Sequence, residues 1–142
     1  MRNLIKKFLF CGILMAFGAS GAAADEIKIK VSGEGLEFQG ILADNETSRA
    51  FVKLLPLSLD MQNLYGREMV DRLGAGALPV GTDGVRRDNF EAGDLIYRRG
   101  SVVILWRQDG DTFERVQLGC LQGDMSVFER IQNAKITISL AE

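Results

Sequence analysis

Hydrophobic and polar residues alternate in the first segments that follow the N-terminal region. Residues 27–31 carry apolar side chains at every second position, which predicts a strand with one buried face. A turn rich in glycine at residues 33–35 leads to a second alternating segment at residues 36–42. The two segments predict an opening hairpin, in which Gly40 marks a bulge or a close approach of two backbones.

The hydrophobic period then changes from that of a strand to that of a helix. Asp44 or Asn45 can cap a short helix, and Pro56 ends it. Alternation returns at residues 57–62 and predicts a third strand. Residues 65–70 predict a turn and the start of a further strand.

The middle of the chain contains a long segment without clear periodicity. Residues 72–91 are rich in glycine and predict a surface loop, and loops of this length are often functional. Residues 95–97 predict a strand, and the continuous apolar run at residues 102–106 predicts a central strand that is covered on both faces. Asp109-Gly110 is a strong hairpin signal that returns the chain through residues 113–120.

The last part of the chain completes the pattern. Apolar residues recur at helical spacing in residues 125–131, and residues 135–140 alternate again. The sequence thus predicts about eight short strands and two short helices. This arrangement is typical of a mostly β fold, a closed antiparallel β-barrel, and not of an alternating parallel fold.

The first 24 residues have the features of a secretory signal. A basic start precedes an apolar stretch of about ten residues, and three alanines precede Asp25. The apolar stretch is too short to span a bilayer, so we expect cleavage after Ala24 and no stable membrane anchor. Residues 1–24 are therefore interpreted as a signal peptide and residues 25–142 as one domain of a periplasmic or secreted protein.

The two cysteines bear on this prediction. Cleavage would remove Cys11, so we predict no disulfide within residues 25–142. Cys120 shares the strand parity of Val116 and Leu118, which favours a buried thiol in the core.

Charge and composition exclude several classes of function. Removal of the signal leaves 14 basic and 19 acidic residues, a net charge of -5, which argues against nucleic acid as a partner. The sequence contains no histidine, so zinc sites of the usual kind and His-dependent triads are excluded. Residues 109–114 lack the ligand spacing of a calcium loop, and Gly74-Ala75-Gly76 lacks the context of a nucleotide site. We predict no metal and no cofactor.

Two stretches of sequence resemble a known family. Residues 51–61 and 65–68 are similar to the opening of the small bacterial and archaeal cyclophilin-like domain family, and residues 90–97, 102–106 and 118–119 are similar to its second landmark. The resemblance implies a closed cyclophilin-like antiparallel β-barrel with two short helices. Most members of this family have no assigned reaction.

The resemblance does not carry an activity with it. True cyclophilins isomerise peptidyl-prolyl bonds with an arginine beside an apolar pocket, in a motif that joins Phe, His and Arg. This chain has no histidine and no such motif. Arg67 or Arg115 could donate to a prolyl amide, but neither is matched to the cyclophilin arginine.

Six residues are candidates for a ligand-binding groove. Residues 64–68 combine a polar aromatic, a flexible backbone and an ion pair at one turn, and two aromatic residues flank the Asp109-Gly110 hairpin. The alternative interpretation is that the turn only locks the barrel and that the aromatic residues pack in the core. The candidates are Met61, Tyr65, Arg67, Glu68, Trp106 and Phe113.

Two basic pairs fall on predicted loops. Arg86-Arg87 and Arg98-Arg99 could hold an anionic ligand or a carboxylate terminus, although solvated surface charge is the usual explanation of such pairs. The two pairs therefore do not identify a binding site by themselves.

The sequence predicts a function only in outline. The first hypothesis is an exported, non-catalytic binding module for a peptide or small molecule. The alternative is a weak peptidyl-prolyl cis-trans isomerase, and a third hypothesis is a structural protein that binds a partner through a sheet edge.

Overall fold

The fold is described from a computed structural model that covers residues 26–87, 90–108 and 113–141. It contains nine strands, one α-helix (α1) and one 3-10 helix. Their bounds are β1 Lys28–Gly33, β2 Leu36–Leu42, α1 Glu46–Val52, β3 Leu57–Leu64, β4 Glu68–Arg72, β5 Val85–Arg86, β6 Asp94–Arg98, β7 Ser101–Leu105, β8 Arg115–Gln122, the 3-10 helix Met125–Arg130 and β9 Asn133–Leu140.

Eight of the strands close into an antiparallel barrel. The order around it is β2, β1, β9, β3, β4, β7, β6 and β8, and β8 pairs with β2 to complete the circle. The short β5 pairs with the first residues of β8. It lies on the same edge of β8 as β2, which pairs with later residues of that strand. The predicted fold class is therefore confirmed, with one additional strand inside the segment that was predicted to be a loop.

The barrel interior holds the main hydrophobic core. Alternate residues of its strands point inward, as the sequence periodicity predicts, and examples are Val31, Met61 and Ile138, each fully buried. Burial of this apolar interior supplies most of the stability of the fold.

A second, smaller apolar cluster lies on the outer face of β4, β7 and β6. Phe90 covers Ile96, Val103 and Leu105, with Val70 packed beside them. Strand β7, which the sequence predicts to be central, is thus buried on both faces, and this confirms the prediction. The loop that precedes β6 provides the outer cover.

The two helices have side-chain caps at their N-termini. Asn45 accepts a hydrogen bond from the backbone amide of Ser48 and caps α1. The second predicted short helix is a 3-10 helix, and Asp124 caps it. Hydrogen bonds from the side chain and backbone of Ser126 lower the pKa of Asp124.

Gly40 lies at a close approach of two backbones and not at a bulge. A Cβ atom at this position would lie 2.7 Å from the carbonyl oxygen of Cys120 on the neighbouring strand β8. The register irregularity of this part of the barrel occurs instead between Leu95 and Ile96 of β6.

Cys120 is buried, as its strand parity predicts. The prediction that Cys120 is a thiol depends on the loss of Cys11. Cys11, the predicted signal peptide and Asp109-Gly110 lie outside the described residues. No helix in the described part of the chain is long and apolar enough to cross a bilayer.

Candidate functional site

One groove of about 1300 Å³ collects most of the arginines of the domain. It lies beside β5 and the first residues of β8, and the ends of β4 and β6 also line it. We call it the arginine groove. The arginines that line it are Arg67, Arg72, Arg86, Arg87, Arg98, Arg99 and Arg115.

The arginines and the lysines of the described chain lie in different parts of the structure. Seven of the ten arginines line the groove, whereas all four lysines, at positions 28, 30, 53 and 135, lie elsewhere. The only carboxylate side chain among the described lining residues is that of Glu114. Guanidinium groups bind carboxylate and phosphate with two parallel hydrogen bonds, so a groove lined by arginine and not by lysine fits an oxyanion.

Strand register places several of these arginines in a single row. Arg72 of β4 and Arg98 of β6 both lie opposite Ser101 of β7. Arg86 of β5 lies opposite Arg115 of β8. The register between β6 and β8, continued by one residue, places Arg98 opposite Arg115. We call these five residues the arginine row, which crosses five neighbouring strands.

The arginine row lies on the outer face of the barrel. Arg72, Ser101 and Arg98 are each two residues from a member of the outer apolar cluster, and residues two apart on a strand share a face. The guanidinium groups of Arg86 and Arg115 lie over the ring of Phe90, which belongs to that cluster. Arg86 and Arg98 each lie opposite Arg115 on a neighbouring strand, and like charges in this arrangement repel each other unless other groups compensate them.

One end of the row is held in place by packing. The guanidinium carbons of Arg86 and Arg115 lie 4.5 and 4.3 Å from the ring centre of Phe90, within the range of cation–π interactions. The Nη1 atom of Arg86 also donates to Oε1 of Gln117 at 2.8 Å. Because Arg115 is only 3% exposed, this end of the groove is ordered before any ligand arrives.

The middle of the row contains an ion pair. The Nη2 atom of Arg98 lies 3.4 Å from Oε1 of Glu68, and the Glu68 side chain is buried. Asp94, also buried, accepts from the Nε2 atom of Gln117 and from the backbone amide of Glu91. Glu68 thus pairs directly with an arginine of the row, and Asp94 holds Gln117, the side chain that accepts from Arg86.

The other end of the row is open to solvent. Arg72 and Arg99 are exposed, and neither makes a side-chain hydrogen bond or ion pair with the described residues. Arg99 has a φ of +50° and precedes Gly100 in the β6–β7 turn. Tyr65, which also lines the groove, has a φ of +59° before Gly66. Residues other than glycine are strained at a positive φ. Arg99 and Tyr65 therefore each carry backbone strain at the turn where they line the groove.

Three of the six predicted site residues line the groove. Tyr65 and Phe113 are exposed at 72% and 55%, far more than is usual for aromatic side chains, and Arg67 lies over the Tyr65 ring at 5.5 Å. The structure therefore brings Tyr65, Arg67 and Phe113 together in one groove.

The other three predicted residues lie outside the groove lining. Met61 is fully buried in the barrel core, and Trp106 is 5% exposed and donates its indole N–H to Oδ1 of Asn63 at 3.0 Å. Glu68 is buried and pairs with Arg98. For Trp106, the alternative interpretation of core packing agrees with its position.

Most of the residues that line the arginine groove were not among the six predicted site residues. The basic pairs at residues 86–87 and 98–99 were the available signal, and all four of these residues line it. Arg72 and Phe90 gave no local signal, because their positions depend on strand pairing and loop packing. In the part of the chain that the structure describes, no group of three or more Cys, Asp or Glu residues could hold a metal ion.

Comparisons with known proteins agree with the fold. The model of the cyclophilin-like family matches residues 31–141. The solution structure of a hypothetical protein from Archaeoglobus fulgidus is similar at 15% identity with a TM-score of 0.63, over 85% of this chain and 99% of that chain. This similarity concerns the fold alone. No curated protein matches the sequence.

Proposed function

Since the chain belongs to the cyclophilin-like family and its barrel carries the arginine groove, we propose that it is a non-catalytic binding module for an anionic peptide or small molecule. The observation that carries the proposal is the concentration of seven arginines in one groove of an otherwise acidic chain. A surface with randomly placed basic residues would not exclude every lysine from this groove. Arginine is the residue that proteins use for bidentate recognition of oxyanions.

The apolar part of the lining indicates that the ligand is more than a simple ion. Tyr65, Phe113, Val80 and Val85 line the same groove as the arginines. Binding sites commonly combine apolar surface with a few polar groups that fix the orientation of the ligand. A carboxylate or phosphate joined to an apolar body satisfies both kinds of lining.

The test is a calorimetric titration of the purified protein with citrate and with its neutral trimethyl ester. We expect citrate to bind and the ester to bind at least about tenfold more weakly, since charge-assisted hydrogen bonds are lost. The double variant Arg72→Gln/Arg99→Gln should bind citrate more weakly than the wild type. The matched double variant Arg130→Gln/Lys135→Gln removes the same charge outside the groove and should bind as the wild type does. Equal binding of citrate and ester would contradict the proposal.

The isomerase alternative is tested separately. We expect the protein to leave the cis–trans exchange of a proline peptide at its uncatalysed rate of tens to hundreds of seconds. Acceleration that is lost in Arg67→Gln would favour the enzyme instead. Export through residues 1–24 is part of the same proposal, and N-terminal sequencing of the secreted or periplasmic protein checks it.

A further inference from the structure

We propose that the ligand of the arginine groove is an extended acidic peptide segment that runs along the arginine row, across the strands. This inference rests on the proposed function and narrows it from anions in general to one class. The ligand would contact Arg72 at one end and Arg86 at the other, where Arg86 is the most exposed member of the Phe90 stack, formed by Arg86, Phe90 and Arg115.

The length of the row sets the size of the ligand. Five neighbouring strands at a spacing of about 4.8 Å place the ends of the row about 19 Å apart. An extended peptide rises about 3.4 Å per residue, so about six residues cover this distance. The groove volume of about 1300 Å³ also exceeds the usual range for drug-sized ligands, about 300–1000 Å³. A small metabolite would therefore reach only part of the row.

The distribution of charge along the row favours a ligand with several anionic groups. Arg98 shares its charge with Glu68, whereas Arg72 at the open end and Arg99 in the β6–β7 turn have no side-chain partner among the described residues. At the opposite end, Arg86 and Arg115 are fixed over Phe90. A ligand with one carboxylate can engage only one of these ends, whereas a segment with spaced carboxylates can engage both.

The apolar lining favours a peptide over an inorganic polyanion. Val80, Val85 and Phe113 face the same groove, and Phe113 is 55% exposed. A groove contacts both sides of an extended chain, so acidic side chains can meet the arginines while apolar side chains cover these residues. Linear polyphosphate would leave the apolar lining in contact with water.

The experiment compares labelled peptides by fluorescence anisotropy on the full protein. The probes are a hexapeptide that alternates glutamate with valine, its glutamine analogue, the Glu-Val dipeptide and linear polyphosphate. We expect the acidic hexapeptide to bind at least about tenfold more tightly than the dipeptide or the glutamine analogue, and its affinity to fall with added salt. Unlabelled polyphosphate should compete more weakly than the unlabelled hexapeptide.

Variants at the two ends of the row test whether one ligand contacts both. Arg72→Gln and Arg86→Gln should each weaken the hexapeptide several-fold, and Arg130→Gln, which is outside the groove, should not. If citrate binds but the hexapeptide binds no more tightly than the dipeptide, or polyphosphate competes better, the peptide inference is wrong and the proposed function stands. If the glutamine analogue binds as tightly as the acidic hexapeptide, both are wrong.

Discussion

Arg99 connects the stability of the barrel with the binding of its ligand. The residue has a φ of +50° in the β6–β7 turn, in a backbone region where a side chain other than Asn, Asp or Gly costs about 1 kcal/mol or more. Its guanidinium is exposed and lines the arginine groove. We predict that Arg99→Asn raises the free energy of unfolding by about 0.5–1 kcal/mol and raises Tm by about 2–5 °C. The same variant should bind citrate about three- to tenfold more weakly, because it loses one charge-assisted contact at an exposed position.

Arg99→Ala separates the two effects. Alanine removes the charge but is strained at a positive φ much as arginine is, so this variant should lose affinity without gaining stability. Arg99→Lys keeps a positive charge and the strain, and it should lose only the bidentate part of the interaction. Comparison of the Asn and Ala variants therefore isolates the backbone contribution.

The assays are urea unfolding followed by circular dichroism and calorimetric titration with citrate. Linear extrapolation gives the free energy of unfolding, and an unchanged slope shows that the variants unfold from the same state. The reasoning is refuted if Arg99→Asn is less stable than Arg99→Ala, because the turn would then not be strained at this residue. Unchanged citrate affinity in all three variants would remove Arg99 from the site.

Two further predictions concern Asn63, which holds Trp106, and Phe90, which supports the groove. Asn63→Ala should destabilise the protein by about 2–4 kcal/mol, because its side chain accepts from Trp106 and donates to two backbone carbonyl groups near the end of the 3-10 helix; urea unfolding followed by the fluorescence of the single tryptophan measures this. Phe90→Ala should cost about 2–4 kcal/mol in the same assay and should also weaken citrate binding, since Arg86 and Arg115 lose the ring that orders them.

Each of these predictions has a matched control. Asn133→Ala changes an exposed asparagine whose side chain makes no hydrogen bond with the described residues, so its cost should be small. A loss of less than about 0.5 kcal/mol for Asn63→Ala would show that water replaces its hydrogen bonds. Phe90→Leu keeps the apolar cover without an aromatic face, so it should retain most of the stability but lose affinity. Wild-type citrate binding by Phe90→Ala would show that the stack does not order the arginines.

The barrel could be predicted from the sequence because each strand has its own local signal. Alternation at residues 27–31 and 135–140, and the apolar run at 102–106, report burial directly. The arginine row could not be predicted in this way. It depends on the pairings β4–β7, β6–β8 and β5–β8, all of which join strands that are not consecutive in the chain. Local periodicity contains no information about such registers.

The dependence on strand pairing also explains which candidate residues could be predicted from the sequence. Tyr65 and Arg67 are beside a tight turn, where a local signal and a surface position coincide. Trp106 follows the buried run of β7, and its indole N–H finds a partner in Asn63, on a strand that the sequence does not place next to it. An aromatic residue with a polar atom can be interpreted as a site residue or as a satisfied core residue, and only the partner decides between them.

The position of the arginine row follows from the architecture of the barrel. Because the fully buried residues of the interior core maintain the fold, the outer face of β6, β8 and β5 can carry arginines opposite each other. The outer cluster under Phe90 excludes water from one side of the row and strengthens its interactions with charge. A ligand that carries several anionic groups would add contacts to Arg72 and Arg99, which have no side-chain partner among the described residues. Because such a ligand binds the folded barrel and not the unfolded chain, anion binding should raise the free energy of unfolding.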